Sequence, residues 1–262
     1  MISFANEWAT ISVLWRRDLL RFFRRPSRIF GAFLQPLIFW LMIGGGLSST
    51  FQLKSDTSLN YEEYFFPGIL MMMVLFASIF GTITVIEDRH EGFLQSVLVS
   101  PGSRAALVIG KSLGVASIGL IQAFGFLALA PLAGFDLLSI DWGGLLLFLS
   151  LSALAMATFG FALAWWLDSS QAYHAIMSVL LLPGWILSGA MFPISDEGLL
   201  SMLMRFNPMS YMVDGVRRAF YSLESLPAGT TVTMTPSLDL IVVIFFLIFS
   251  LFWASIVVRR NR

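Results

Sequence analysis

The chain has 262 residues, of which 57% are hydrophobic and only 12% are charged, whereas soluble domains carry roughly 25% charged residues. This composition excludes an ordinary soluble domain. The formal net charge is zero, so the total predicts neither an acidic nor a basic partner, and the lack of cysteine excludes disulfides and cysteine nucleophiles.

The N-terminal segment predicts an amphipathic helix over residues 4–22. At about 100° per residue, one stripe collects its aromatic and aliphatic side chains, namely Phe4, Trp8, Ile11, Trp15, Leu19 and Phe22. The opposite side carries Arg17, Arg21, Arg24 and Arg28. Such a helix is typical of the membrane interface, where tryptophans suit the headgroup layer. A cytosolic helix packed on a partner is the alternative, and a DNA-binding helix is disfavoured by the rest of the chain.

Six apolar windows follow, each close to the roughly 20 residues that a helix needs to cross the hydrocarbon core. They cover residues 29–47, 64–86, 112–135, 142–167, 172–194 and 240–258, and none contains Lys, Arg, Asp or Glu. Because backbone groups in lipid must bond within their own segment, the windows predict helices rather than strands. The predicted fold is therefore an all-α polytopic membrane protein with six spans.

The cations indicate how these spans are oriented. With both termini inside, twelve of the sixteen Lys and Arg residues lie on the inner side, so the positive-inside rule predicts cytoplasmic termini. We expect one transmembrane domain over residues 1–262. Its parts are the interfacial helix (1–28), spans one to five (29–194), an external helical hairpin (195–237) and the sixth span with a basic tail (238–262).

Two connections between spans predict structure of their own. The first internal loop begins with a mixed-charge cluster (Glu87, Asp88, Arg89 and Glu91), becomes apolar, and stops at Ser100-Pro101-Gly102. This pattern predicts a short helix with one solvent-exposed face and one packed face. In the external stretch, Asn207-Pro208 is typical of a helix start, with an Asn cap and proline at the first helical position. Apolar residues at helical spacing on either side predict two short helices.

Several kinds of chemistry are disfavoured. The six windows contain one ionisable side chain, His174, whereas ion-coupled transporters usually keep a buried acidic group. Gly110-Lys111-Ser112 matches only the end of a phosphate-binding loop, and a lysine at the headgroup level is the favoured interpretation. Neither a hydrolase motif nor a second acidic cluster accompanies Glu87–Glu91, so we expect no catalytic residue and no metal site.

Part of the second and fifth windows could line a passage for a hydrophobic molecule. The candidates are Met72, Phe76, Phe80, Thr84, Trp185 and Ser188. They combine aromatic and thioether side chains with hydroxyl groups, which would give such a path a mildly polar side. The alternative is that most of the aromatic residues and methionines in the chain fill helix interfaces or face lipid.

A set of short motifs, spread from end to end, resembles the membrane permease of type-2 ATP-binding-cassette (ABC) exporters, a group with daunorubicin and nodulation-factor export permeases. The motifs are Arg25-Pro26-Ser27-Arg28 with Gln35-Pro36, the run Tyr64-Phe65-Phe66-Pro67-Gly68-Ile69, Glu87-Asp88-Arg89 with Glu91-Gly92, Leu98-Val99-Ser100-Pro101, Gly110-Lys111, residues 187–193, Asn207-Pro208-Met209-Ser210-Tyr211, and Asp214 with Arg217 and Arg218. No single motif is decisive, but their order among six spans is specific.

The resemblance implies a function and indicates which segments of the chain would carry it out. Such permeases of the bacterial inner membrane work as pairs, either two copies or two paralogues, with two copies of a cytosolic ABC ATPase that holds ATP and Mg²⁺. It implies that the interfacial helix (Trp8, Trp15, Arg17, Arg21 and Arg24) and a coupling helix contact the ATPase. The coupling residues would be Glu87, Asp88, Arg89, Glu91, Gly92, Phe93 and Leu94. The hairpin with Asn207, Pro208 and Tyr211 would be re-entrant and close an outer gate, and the second and fifth spans would line the path.

The predicted function is export of an amphiphilic, drug-like or glycolipid-type substrate by a chain that binds no nucleotide, cofactor or nucleic acid itself. An ion-coupled secondary transporter or channel is the alternative. Transport driven by an ion gradient without ATP would favour that alternative.

Overall fold

A computed structural model describes residues 4–47, 60–167, 169–193, 198–221, 226, 230–232 and 235–260. Within these residues all regular secondary structure is helical, which confirms the predicted all-α class. Helix α1 (Phe4–Phe23) matches the predicted N-terminal helix closely.

Eleven further α-helices follow in the described residues. They are α2 (Pro26–Phe39), α3 (Gly45–Leu47), α4 (Tyr61–Gly81), α5 (Ile83–His90), α6 (Phe93–Leu98), α7 (Arg104–Leu127), α8 (Trp142–Trp166), α9 (Ser170–Trp185), α10 (Leu199–Phe206), α11 (Pro208–Phe220) and α12 (Pro236–Arg260). A π-helical turn joins α2 to α3 (Trp40–Gly44), a second one follows α9 (Ile186–Ala190), and a 3₁₀ turn follows α7 (Ala130–Ala133).

Five helical stretches are long and apolar enough to cross a membrane. They are Tyr61–His90, Arg104–Leu127, Trp142–Trp166, Ser170–Ala190 and Pro236–Arg260. The first predicted window differs, because its apolar stretch, Ile29–Gly44, is shorter. Pro36 and the π-helical turn also interrupt its regular hydrogen bonding. Five of the six predicted spans are thus present, and the first one stays a prediction.

The third span begins earlier than predicted. Helix α7 starts at Arg104, where the Ser103 hydroxyl accepts a hydrogen bond from the Ala106 amide as an N-cap. The predicted window begins at residue 112 because it contains only uncharged residues, and Lys111 directly precedes it. In the structure the Lys111 side chain is completely buried, so the helix continues through it.

The core of the bundle is formed by α4, α7 and α8, with α12 packed along α8. Helix α1 lies against α7, and α11 packs on α8 and α12. The Asp141 amide before α8 donates to the Ala219 carbonyl of α11 at 2.9 Å. We call the end of the bundle that carries α1, α5 and α6 the α1 end, and the opposite end the α11 end.

The second span has a break between α4 and α5 at Thr82. The Tyr173 hydroxyl of α9 reaches this break, where it lies 2.6 Å from Thr82 Oγ1 and donates to the Ile79 carbonyl at 3.0 Å. A side chain inserted into the backbone ladder is a common cause of a helix kink. The break separates the membrane-embedded α4 from α5, which leads into the first internal loop.

The predicted pair of short helices is present as α10 and α11. The Asn207 side chain accepts a hydrogen bond from the Met209 amide, and Pro208 is the first residue of α11, so the predicted cap is confirmed. Helix α11 buries the predicted apolar face, whereas α10 exposes most of its own, including Leu199 and Phe206. Residues 194–197, 222–225, 227–229 and 233–234 of the predicted hairpin lie outside the described residues.

Candidate functional site

Helix α1 is oriented by its contact with α7. Its buried side chains are Leu14, Asp18 and Phe22, and at about 100° per residue this line lies about 60° from the centre of the predicted stripe. The reason is that glycines of α7 let α1 approach closely. A Cβ added at Gly110 would lie 3.1 Å from the Ile11 backbone, and one at Gly114 would lie 3.0 Å from Asp18 Cβ.

The predicted interfacial residues of α1 divide into two groups. Trp8 is exposed, and Trp15 is partly exposed while its Nε1 donates to Ser117 Oγ at 3.0 Å. Arg24 is also exposed. Arg17 and Arg21 instead form ion pairs with carboxylates of α5.

Lys111 is the centre of a buried ionic contact between three helices. Its Nζ donates to Asp18 Oδ1 at 3.0 Å and to Asp88 Oδ2 at 2.5 Å. All three side chains are at most 5% exposed. Burial raises the pKa of the Asp18 carboxyl, and the Lys111 ammonium opposes that shift. The ammonium therefore stabilises two carboxylates that would be costly to bury alone.

The two arginines of α1 complete this contact. Arg17 holds Asp88 with both terminal nitrogens, at 2.8 and 2.7 Å, the bidentate geometry that suits a carboxylate. Arg21 donates to Asp88 at 3.0 Å and to Glu87 at 3.3 Å, and lies 3.7 Å from Glu91. We call the seven side chains the ion-paired cluster: Arg17, Asp18, Arg21, Glu87, Asp88, Glu91 and Lys111.

The rest of the 87–100 segment is fixed by further contacts. Arg89 donates to the Trp165 carbonyl at 2.5 Å and stacks over the Trp165 ring, and the Arg17 guanidinium lies 3.7 Å above the centre of the Phe93 ring. Leu94 is buried. Leu98 and Val99 at the end of α6 are instead 41% and 86% exposed, so the segment is anchored on one side and presents an apolar tip on the other.

Gly92 makes the turn between α5 and α6 and has φ +77°, and a Cβ added there would meet no atom within 4 Å. Because a side chain disfavours this left-handed backbone, Gly92→Ala is expected to cost about 1–2 kcal/mol. Thermal unfolding of the detergent-solubilised protein measures the loss. Gly46→Ala is the control, since that glycine is helical and also has open space around it. An equal change in melting temperature for the two variants would contradict this account of the turn.

The cluster does not leave a metal site. Among the described residues, no group of three or more His, Asp or Glu side chains is placed to hold a metal ion. The carboxylates of Asp18, Glu87 and Asp88 already contact cationic side chains of this chain. The ion pairs connect α1, α5 and α7.

A cavity of about 440 Å³ lies next to the cluster. Four predicted path residues line it, namely Met72, Phe76, Phe80 and Thr84. The other two lie toward the α11 end, where Trp185 Nε1 donates to the Gly68 carbonyl at 3.0 Å and Ser188 Oγ donates to the Trp185 carbonyl at 2.6 Å. Both side chains are completely buried. The six path residues are thus divided between two regions.

Two of the three predicted gate residues, Asn207 and Tyr211, donate side-chain hydrogen bonds to backbone carbonyls at the α11 end, and Pro208 is the first residue of α11. Asn207 Nδ2 donates to the Gly184 carbonyl at 2.6 Å, and the Tyr211 hydroxyl donates to the Arg205 carbonyl at 2.7 Å. Nearby, Tyr64 and Arg217 both donate to the Gly189 carbonyl, at 2.7 and 2.9 Å. These bonds tie α4, the turn after α9 and α11 together.

Sequence reasoning missed Asp18 and Lys111 as members of the site. The available signal was that Asp18 interrupts an apolar line between Leu14 and Phe22 at four-residue spacing, while Lys111 interrupts a long apolar helix beside Gly110. Opposite charges on two apolar helix faces indicate a buried pair. That signal does not identify which helices pair.

Comparison with known proteins agrees with this architecture. Residues 9–221 match the family model of the ABC-2 type transporter. A putative transport permease, ycf38, of Cyanophora paradoxa is 29% identical over 213 residues, covering 78% of this chain and 72% of that protein. Nodulation protein J of Rhizobium meliloti is 24% identical over 220 residues, or 81% of each chain.

A third relative is the probable multidrug ABC transporter permease YbhR of Escherichia coli. It is 25% identical over 177 residues, which are 65% of this chain and 47% of that protein. The match to the family model covers most of the chain, including most of α1, the whole ion-paired cluster and α11. This chain belongs to the ABC-2 type transporter family of membrane permeases.

Proposed function

We propose that this chain is the membrane permease subunit of an ATP-driven exporter whose ATPase subunits are separate cytosolic proteins. The observation that carries the proposal is the ion-paired cluster, which fixes the 87–100 segment to α1 and α7. Two relatives are named as a nodulation protein and a probable multidrug ABC transporter permease, which supports export of an amphiphilic, drug-like or glycolipid-type substrate.

The mechanism follows from the connections of the cluster. Two copies of the ATPase would press on two permeases, each at the exposed tip formed by Leu98 and Val99. Because the cluster is buried and multiply bonded, the segment, α1 and the start of α7 would move as one body. The break at Thr82 lets this body tilt relative to α4, which converts ATPase closure into a rigid-body movement of helices.

The same proposal orients the protein in a bacterial inner membrane. The α1 end faces the cytoplasm with both chain termini, and the exposed Phe4 and Trp8 lie in the headgroup layer. The α11 end faces outward, where the exposed apolar side chains of α10 enter the outer leaflet. The hairpin of α10 and α11, with Asn207, Pro208 and Tyr211, then forms the outer gate.

Co-purification with an ABC ATPase tests this proposal. The permease alone should not hydrolyse ATP, whereas the complex should. Leu98→Asp with Val99→Asp should abolish association because it places carboxylates on the apolar tip. Leu138→Asp is the matched control, since Leu138 is also exposed, with 93% exposure, but lies at the α11 end.

Three results would overturn the proposal: ATP turnover by the permease alone, no association with any ABC ATPase of the same cell, or equal association of both variants. Transport driven by an ion gradient in ATP-free liposomes would identify an ion-coupled transporter instead.

A further inference from the structure

We infer that the cavity beside the ion-paired cluster binds a cationic amphiphile with a single apolar chain, taken from the cytoplasmic leaflet into one permease protomer. This inference rests on the proposed function for the orientation of the α1 end, and it names the substrate class. The cavity is lined by α1, α2, α4 with α5, α7 and α9 of this one chain.

The length of the cavity matches one leaflet. Its lining on the second span extends from Met72 to Glu87, and fifteen residues of helix rise about 22 Å. Half of the hydrocarbon core is about 15 Å thick, which leaves room for a headgroup at the Glu87 end. The volume of about 440 Å³ is in the range of sites for small organic ligands, roughly 300–1,000 Å³.

The lining changes from apolar to charged along this length. Met72, Met73, Phe76 and Phe80 line the deep end, and Asp18, Arg21 and Glu87 line the α1 end. Gln35 and Gln122 also line the cavity and are polar but uncharged. Methionine side chains adapt to chains of different shape. An acyl or alkyl chain therefore fits the deep end, with its polar head at the charged end.

An entrance lies between α2 and α9. Gly31 and Gln35 on α2 and His174 on α9 line the cavity and are exposed. A side chain added at Gly31 would meet no atom within 4 Å. An amphiphile can thus enter sideways from the membrane, because Gly31 has no side chain to narrow this part of the opening.

The charge of the site favours a cationic head. The ion-paired cluster has four carboxylates and three cations, and both terminal nitrogens of Arg21 already contact carboxylates. Glu87 has a side chain 31% exposed and a long contact of 3.3 Å to Arg21, which leaves oxygen lone pairs for another donor. An anionic head would instead meet Asp18 and Glu87.

Equilibrium binding to the full-length permease in nanodiscs, without any ATPase, tests this inference. The probes are radiolabelled hexadecylammonium, hexadecyl phosphate and hexadecyl maltoside, which share one chain. We expect the cationic probe to bind at least about tenfold more tightly than the anionic one. Glu87→Gln should remove most of this preference while leaving binding of the maltoside unchanged.

Gly31→Leu and its control Gly46→Leu separate the cavity from general lipid contact. Both glycines are helical and have open space around them, but only Gly31 lines the cavity. Gly31→Leu should weaken binding of all three probes about tenfold or more, and Gly46→Leu should not.

Equal binding by these two variants, or equal or tighter binding of the anionic probe, would overturn the inference. Binding is measured without the ATPase and association without the probes, so failure of either proposal is recognised separately.

Discussion

Replacing Lys111 with methionine is expected to destabilise the protein by about 3–5 kcal/mol, the usual cost of removing one partner from a buried ionic contact. Methionine fills similar space but leaves the Asp18 carboxylate, which is 5% exposed, without its ammonium. Asp88 keeps Arg17 and Arg21, whereas Asp18 keeps a 3.7 Å contact with Arg17 in place of its two close contacts with Lys111. Asp18 therefore accounts for most of the loss. Unfolding of the detergent-solubilised protein by heat or denaturant measures it.

A second substitution identifies the cause of that loss. Lys111→Met combined with Asp18→Asn removes the Asp18 charge together with its partner. We expect the double variant to recover most of the stability that the single variant loses, as a double-mutant cycle would show. A double variant no more stable than Lys111→Met alone would contradict the buried contact described here.

Replacing Gly68 with alanine is expected to cost about 3 kcal/mol, at the upper end for overpacking of a core. A Cβ at Gly68 would lie 2.9 Å from the Ala190 carbonyl carbon and from Ala190 Cα. These are backbone atoms of the turn after α9, which cannot move aside as a side chain can. Separating α4 from this turn would also lengthen the Trp185–Gly68 hydrogen bond.

Thermal unfolding of Gly68→Ala and Gly31→Ala gives a matched comparison. Gly31 is a helical glycine with open space around it, so its replacement should be neutral or stabilising by up to about 1 kcal/mol. If both variants unfold at the same temperature as the original protein, α4 does not pack on the turn as closely as the structure has it.

Features that depend on local pattern were predictable from the sequence. The apolar windows located five helical stretches able to span a membrane, the 3.6-residue periodicity located α1, and Asn207-Pro208 located the start of α11. Each of these depends on residues close together in the chain, where helix length, amphipathicity and capping follow directly from side-chain chemistry.

Features that depend on distant pairing were not predictable. The rotation of α1 follows from its close packing on Gly110 and Gly114 of α7, where Asp18 contacts Lys111, 93 residues away. The break at Thr82 depends on Tyr173, 91 residues away. A helical wheel treats each helix alone, so it places Arg17 and Arg21 opposite the apolar stripe of α1 without identifying their carboxylate partners on α5.

The site shows the same division. The family resemblance indicates residues 87–94 and the α1 arginines as two separate groups of site residues. In the structure the two groups are in contact, because Arg17 and Arg21 both donate to Asp88. The coupling role of these residues stays a prediction.

The central claim, that α1 and the 87–100 segment move as one body, can be measured directly by pulsed electron paramagnetic resonance. Because the chain has no cysteine, spin labels can be placed at Val13→Cys, Gln95→Cys and Leu138→Cys, all at exposed positions. In the complex with its ATPase, the 13–95 distance should be narrow and unchanged by trapped ATP, while the 95–138 distance should change. A 13–95 distance that broadens or shifts with ATP would contradict the claim.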